Sequence, residues 1–166
     1  MERYGIGDVV VYGSMGLCDI VDIKRDEVGG VEHEYYVLAE HFSRGTSLTY
    51  VPAQNESLAS KIRPVMSYSA ASELISKIPD VAPMEWMPDN RRRAEYFKSI
   101  LEGGDKELMV AMIKVIIIMG RERERIGKKN FMTDLAALNK AKRLLISELS
   151  FATATPEGEL EVSFGD

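Results

Sequence analysis

The apolar residues of this chain change their period once, near Ser67, and that change limits what the chain can fold into. Up to residue 65 it reads as short β-branched runs broken by turn residues; beyond it, apolar residues recur at three- and four-residue spacing. A segment patterned for one period does not sit stably in the other. The chain must therefore build a strand module first and a helical module second, an α+β organisation. Its 166 residues suffice for two small cores.

In the first part, Asp8-Val9-Val10-Val11-Tyr12 is a strand that stops at Gly13-Ser14-Met15-Gly16. Leu17 to Lys24 returns, with Leu17, Asp19, Val21 and Ile23 expected on one face. Gly29-Gly30 turns the chain into a third strand, Glu34 to Leu38. Ser47 to Pro52 is a fourth, ended by its proline, and Lys61-Ile62-Arg63 a short fifth. Short strands with turn signals at this spacing predict a small barrel or strongly bent sheet.

In the second part, Ser69 to Ile78 carries a stripe of Ala71, Leu74, Ile75 and Ile78 before Pro79. Asn90 to Glu102 turns Tyr96, Phe97, Ile100 and Leu101 inward and stops at Gly103-Gly104. Asp105 caps a helix from Lys106 to about Arg125, apolar nearly all round in its first half. Thr133 is the expected cap of a last helix, with Leu135, Leu138, Ala141, Leu145 and Leu149 inward. The expected division is 1–66, 67–152 and an acidic, disordered tail over 153–166.

Formal net charge is -5, against tight binding of free nucleic acid by charge alone. The charge is uneven: residues 86–149 hold 14 Lys/Arg against 9 Asp/Glu, whereas residues 1–65 hold 6 against 10. The basic helical block is where an anionic partner would go. There Trp86, the only tryptophan, ends a Pro-bearing connector five residues ahead of Arg91-Arg92-Arg93. A large ring beside guanidinium groups suits nucleic acid, because the ring can wedge or stack while the cations hold phosphates. A buried core tryptophan beside a solvated helix end is the plainer reading of the same residues.

Signals for chemistry are few. His33, His41 and the single Cys18 are too sparse for a soft-metal site, and Cys18 reads as a small buried hydrophobe. Gly127-Lys128-Lys129 lacks the glycine spacing and hydroxyl of a phosphate loop, and Gly13-Ser14-Met15-Gly16 is one residue short of a nucleophile elbow. The expectation is a protein without catalytic residues, metal or cofactor. Leu108 to Met119 is too short to span a bilayer and the N-terminus lacks the apolar region of a signal peptide, so a cytoplasmic protein without a membrane partner is expected.

Several residues together resemble the CarD/CdnL family of bacterial transcription regulators and, in the first half, the polymerase-interacting module of transcription-repair coupling factors. They are Gly7 to Tyr12 with Gly16, Tyr35 to Leu38, Val51-Pro52 with Asn55, and Ile62-Arg63; then Trp86, Arg92-Arg93, Gly104-Asp105, and Ala141-Lys142 through Glu148. The resemblance implies a Tudor-like (SH3-like) β barrel that docks on the RNA polymerase β subunit, followed by an all-α domain set against promoter DNA. It also implies stabilisation of the open complex at the upstream edge of the melted region, through a weak, sequence-independent contact made by a monomer. The DNA-contacting candidates are Trp86, Arg91, Arg92, Arg93, Lys128, Lys129 and Lys140; the polymerase-contacting candidates are Thr49, Tyr50, Val51 and Pro52. Three departures stand out: Gly13 where the family usually has proline, Tyr50 where an arginine commonly precedes Val-Pro, and Met87 to Asn90 inserted between the tryptophan and the arginines. The alternative is an interaction adaptor that uses the β module and never touches DNA.

Overall fold

A computed structural model describes residues 3–42 and 47–165 of the chain. One compact unit ends at Val65 and a second begins at Met66. In the first, β1 (Val9–Tyr12) and a single 3-10 turn lead into β2 (Gly16–Val28), then β3 (Val31–Glu40) and β4 (Leu48–Pro52). A one-turn helix α1 (Glu56–Ala59), which the sequence reading did not anticipate, precedes β5 (Ile62–Pro64). Asn55 caps α1 by accepting the Leu58 N–H at 3.2 Å.

The five strands form an antiparallel sheet in the order β4-β3-β2-β1-β5, with β4 and β5 at its edges. Gly29 and Gly30 both have positive φ (62° and 78°), the geometry a two-residue hairpin turn needs and side chains resist. One face gathers Val10, Cys18, Ile20, Tyr36, Leu38, Val51 and Ile62 into a core. Burial pushes the Cys18 thiol up to about 11, with help from the nearby Glu40 and Asp19 carboxylates, so it stays a protonated core residue at neutral pH. The expected alternation in β2 fails at one point. The register shifts between Ile20 and Asp22, so Val21 is exposed at a bulge and Ile23 joins Cys18 and Ile20 on the core face, opposite Leu17.

The second unit is helical: α2 (Tyr68–Lys77) with a 3-10 extension over Ile78–Asp80, α3 (Asn90–Gly103), α4 (Lys106–Arg125), α5 (Met132–Thr153) and α6 (Glu157–Val162). Ser67, Asp89 and Asp105 cap α2, α3 and α4 through side-chain oxygens, and Gly104 ends α3 at φ 78°. The apolar run of α4 is the centre of the core, with Met109 to Ile113 and Val115 to Ile117 buried. Its lone cation, Lys114, donates to the carbonyls of Ile78 and Val81, the second at 2.6 Å, so the charge serves the end of α2.

Three expectations need correcting. Phe131, not Thr133, stands at the cap position of α5 and makes no side-chain cap bond. Tyr96 and Leu135 are partly solvent-facing; on α3 the buried stripe is Arg93, Phe97 and Ile100. The acidic tail is not disordered over its described length: α6 presents Leu160, and Phe164 follows, to the helical core, both buried. Ser147 donates to Glu157 at 3.1 Å and Arg121 to the Gly165 carbonyl. Composition misled because the acids take the outer positions of a short amphipathic turn. Asp166 lies outside the described residues. Among the described residues, no helix is long and apolar enough to cross a membrane.

Candidate nucleic-acid interface

Trp86 lies in the extended segment between the 3-10 turn and α3, where Pro83 and Pro88 preclude a helix. Nearby, the Met84 N–H donates to the Ala111 carbonyl at 3.3 Å and anchors the segment to α4. Trp86 packs on the helical core yet stays half-buried, so neither of the two sequence readings describes it fully.

Arg93 departs most from expectation. The sequence sets it among the phosphate-binding cations, but it is fully buried. Its Nε donates to Asp134 Oδ1 at 2.9 Å and one terminal nitrogen to Asp134 Oδ2 at 3.1 Å, the paired geometry of a guanidinium on a carboxylate. The same nitrogen donates to Asn90 Oδ1 at 2.8 Å, and the other to the Met87 carbonyl at 2.9 Å and more weakly to Pro88 at 3.5 Å. All five guanidinium donors are thus engaged, and Arg93 is removed from the set of DNA contacts. The inserted Met87 to Asn90 stretch wraps this group.

The guanidinium also lies 4.1 Å from the Trp86 ring centroid and 5.1 Å from that of Phe131. Arg123, near the end of α4, lies 4.0 Å from Phe131 and donates Nε–H to the Lys129 carbonyl at 2.8 Å. Rings and cations therefore alternate from Trp86 to the turn that bears Lys128 and Lys129. Beside Trp86 is a cavity of about 10 Å³ lined by Ile116, Met119, Gly120 and Asn130 among others. Asn130 Oδ1 is buried there without a hydrogen-bond partner among the described residues. A Cβ on Gly120 would come 3.2 Å from the Asn130 amide, so glycine suits this crossing.

Of the remaining cations, Arg91 and Arg92 are exposed in the first turn of α3, Arg91 beside Glu95 at 3.5 Å. Lys128 and Lys129 are exposed in the turn after α4. Lys140 is half-buried on α5, six residues beyond Asp134 and so about 9 Å farther along the axis. Phe131, Arg123, Asp134 and Asn130 were missed. An acid in the first turn of a helix reads as a partner of the helix dipole, and nothing local reveals a pairing across 41 residues.

In the β unit the polymerase-contacting candidates separate by face. Val51 is wholly buried in the core, so its side chain cannot meet a partner, which corrects that assignment. Thr49 points the same way and donates to Met15 Sδ at 3.5 Å. Tyr50 is exposed on the other face, with Leu48 on the same side and the Lys24 ammonium 5.4 Å from its ring centroid. Pro52 closes the strand. Among the described residues β4 pairs with β3 alone, so its outer backbone edge is one of the two edges of the sheet.

Residues 4–66 match the family model of the CarD-like/TRCF RID domain, nearly the whole of the first unit; the helical unit lies outside that match. Comparison with curated proteins gives no match. The N-terminal unit is thus similar to the CarD-like/TRCF RID domain, a module that interacts with the RNA polymerase β subunit.

Proposed function

We propose that this protein is a transcription regulator without enzymatic activity. Its β unit, read as a Tudor-like module, docks on the RNA polymerase β subunit, and its helical unit sets Trp86 against promoter DNA at the upstream edge of the melted region. One observation carries the DNA reading: a partly buried tryptophan ring held against a buried guanidinium, with the exposed cations Arg91, Arg92, Lys128 and Lys129 on the adjoining elements. The cations serve phosphates and the ring serves the duplex junction, a contact that reads no operator sequence.

The net charge of -5 fits a tethered contact. Once the β unit is docked, DNA binding is effectively intramolecular, at roughly millimolar effective concentration, so little intrinsic affinity is needed. The protein works as a monomer, in the bacterial cytoplasm. The same acidity favours the rival reading of an adaptor that never meets DNA.

Open-complex lifetime separates the two. Stacking on an aromatic ring is worth roughly 1–3 kcal/mol per base, so Trp86→Ala should shorten the lifetime about ten-fold on several unrelated promoters. Binding to core polymerase should be unchanged. A lifetime that Trp86→Ala leaves as it was sinks the DNA reading and leaves the adaptor.

A further inference from the structure

Trp86 hangs on an extended segment with few backbone bonds of its own, so something else must fix where its ring points. The alternating stack does this. Its first layer is the Trp86 ring, its second the Arg93 guanidinium at 4.1 Å, its third Phe131 at 5.1 Å from that guanidinium, and its fourth Arg123 at 4.0 Å from Phe131. Arg93 cannot turn, because Asp134 holds it from α5 and the Met87 carbonyl from the connector. Arg123 reaches the Lys129 carbonyl, so the far end of the stack grips the basic turn.

We infer that Arg93, Phe131 and Arg123 are positioning residues that hold the Trp86 ring and the Lys128–Lys129 turn as one pre-arranged surface for DNA. This rests on the DNA reading proposed above. A ring already oriented loses less freedom on binding, which is the general advantage of a preorganised site. A structural role alone would require the stack only for stability. The positioning role adds that loosening it frees the ring and separates it from the lysines.

Trp86 is the only tryptophan, so its polarised fluorescence decay reports the motion of this one ring. The test uses the full chain with Phe131→Leu and, separately, Arg123→Gln, which loosen the outer layers without stranding the buried Arg93–Asp134 pair. Leu160→Val, on α6 where it enters the helical core, is a destabilising control that leaves the stack intact. Both stack variants should increase the fast component of the Trp86 decay and shorten open-complex lifetime about two- to five-fold, as the loss of one cation–π layer implies. The control should do neither. An unchanged decay in the stack variants overturns the inference while the proposed function stands. So does a freer ring with unchanged lifetime when Trp86→Ala shortens it, or a control that behaves like the stack variants. No effect of Trp86→Ala on lifetime fails the DNA reading itself, and the positioning role falls with it.

Discussion

The two units use the same ion-pair chemistry to opposite ends. In the β unit Glu34 receives Arg3 at 3.1 Å and Arg25 at 3.3 Å, but both arginine side chains are mostly in water, at 78% and 65% exposure. Such pairs gain little on the arginine side, because water already solvates those charges, although the Glu34 side chain is itself 12% exposed. In the helical unit Arg93 and Asp134 meet at 2.9 Å with side chains 1% and 7% exposed. Neither charge has an alternative partner in solvent, so removing one leaves the other stranded at high cost. The β unit is held by apolar alternation and can lose its charges. The helical unit has a charge built into its core beside its candidate DNA surface, which makes that surface the less tolerant of change.

The sharpest way to break this comparison is to delete one acid from each unit. Asp134→Ala should cost roughly 3–5 kcal/mol of helical-unit stability, and Glu34→Ala less than about 1 kcal/mol in the β unit. Denaturant titration with unit-resolved hydrogen exchange would measure both, and comparable losses would erase the distinction. Next in size is Leu160→Ala, expected to cost about 2–5 kcal/mol in the helical unit because Leu160 is 2% exposed. A loss under about 0.5 kcal/mol, the range of ordinary surface changes, would mean that α6 is not part of that core. Smallest is Tyr50→Ala on the exposed face of β4. It should weaken binding to the polymerase β subunit about ten-fold, or 1.4 kcal/mol, and leave the melting temperature nearly unchanged. Calorimetric titration against the isolated β-subunit lobe would read this, and undiminished affinity would shift the docking surface away from β4.

What the sequence made legible follows the same divide. Most signals that act within one element read correctly, the Thr133 cap excepted: the glycines of the β2–β3 turn, the Asp105 cap, the Gly104 stop and the span of α4 all lie where local chemistry puts them. Signals that depend on a distant partner did not. Arg93 stands in a run of three arginines and reads as surface charge until Asp134 is seen beside it. Leu160 and Phe164 read as stray apolar residues in an acidic tail until the core they enter is known. The candidate site fared worse than the fold because a cation on a surface and a cation under a ring are the same letter in sequence. Only the arrangement of α3, α4 and α5 separates Arg92 from Arg93.

The order in which this sheet can assemble follows from its edges. Beyond Lys24 and Tyr35, the β2–β3 hairpin runs on as a two-stranded arm from Arg25 to Val28 and from Val31 to Glu34, closed by two residues. Bringing those strands together loses little chain entropy. Strand β5 is the opposite case, since Tyr12 finds Ile62 only across fifty residues. The arm is therefore expected to zip early and β5 to dock late, fastening the first strand and Tyr4, which donates to the Ile62 carbonyl at 3.4 Å. Pulse-labelled exchange during refolding would follow this, with amides of the arm protected before those of β1 and β5, and simultaneous protection would rule it out. On a ribosome, the module could close only after residue 64 has emerged, late in the synthesis of its own domain.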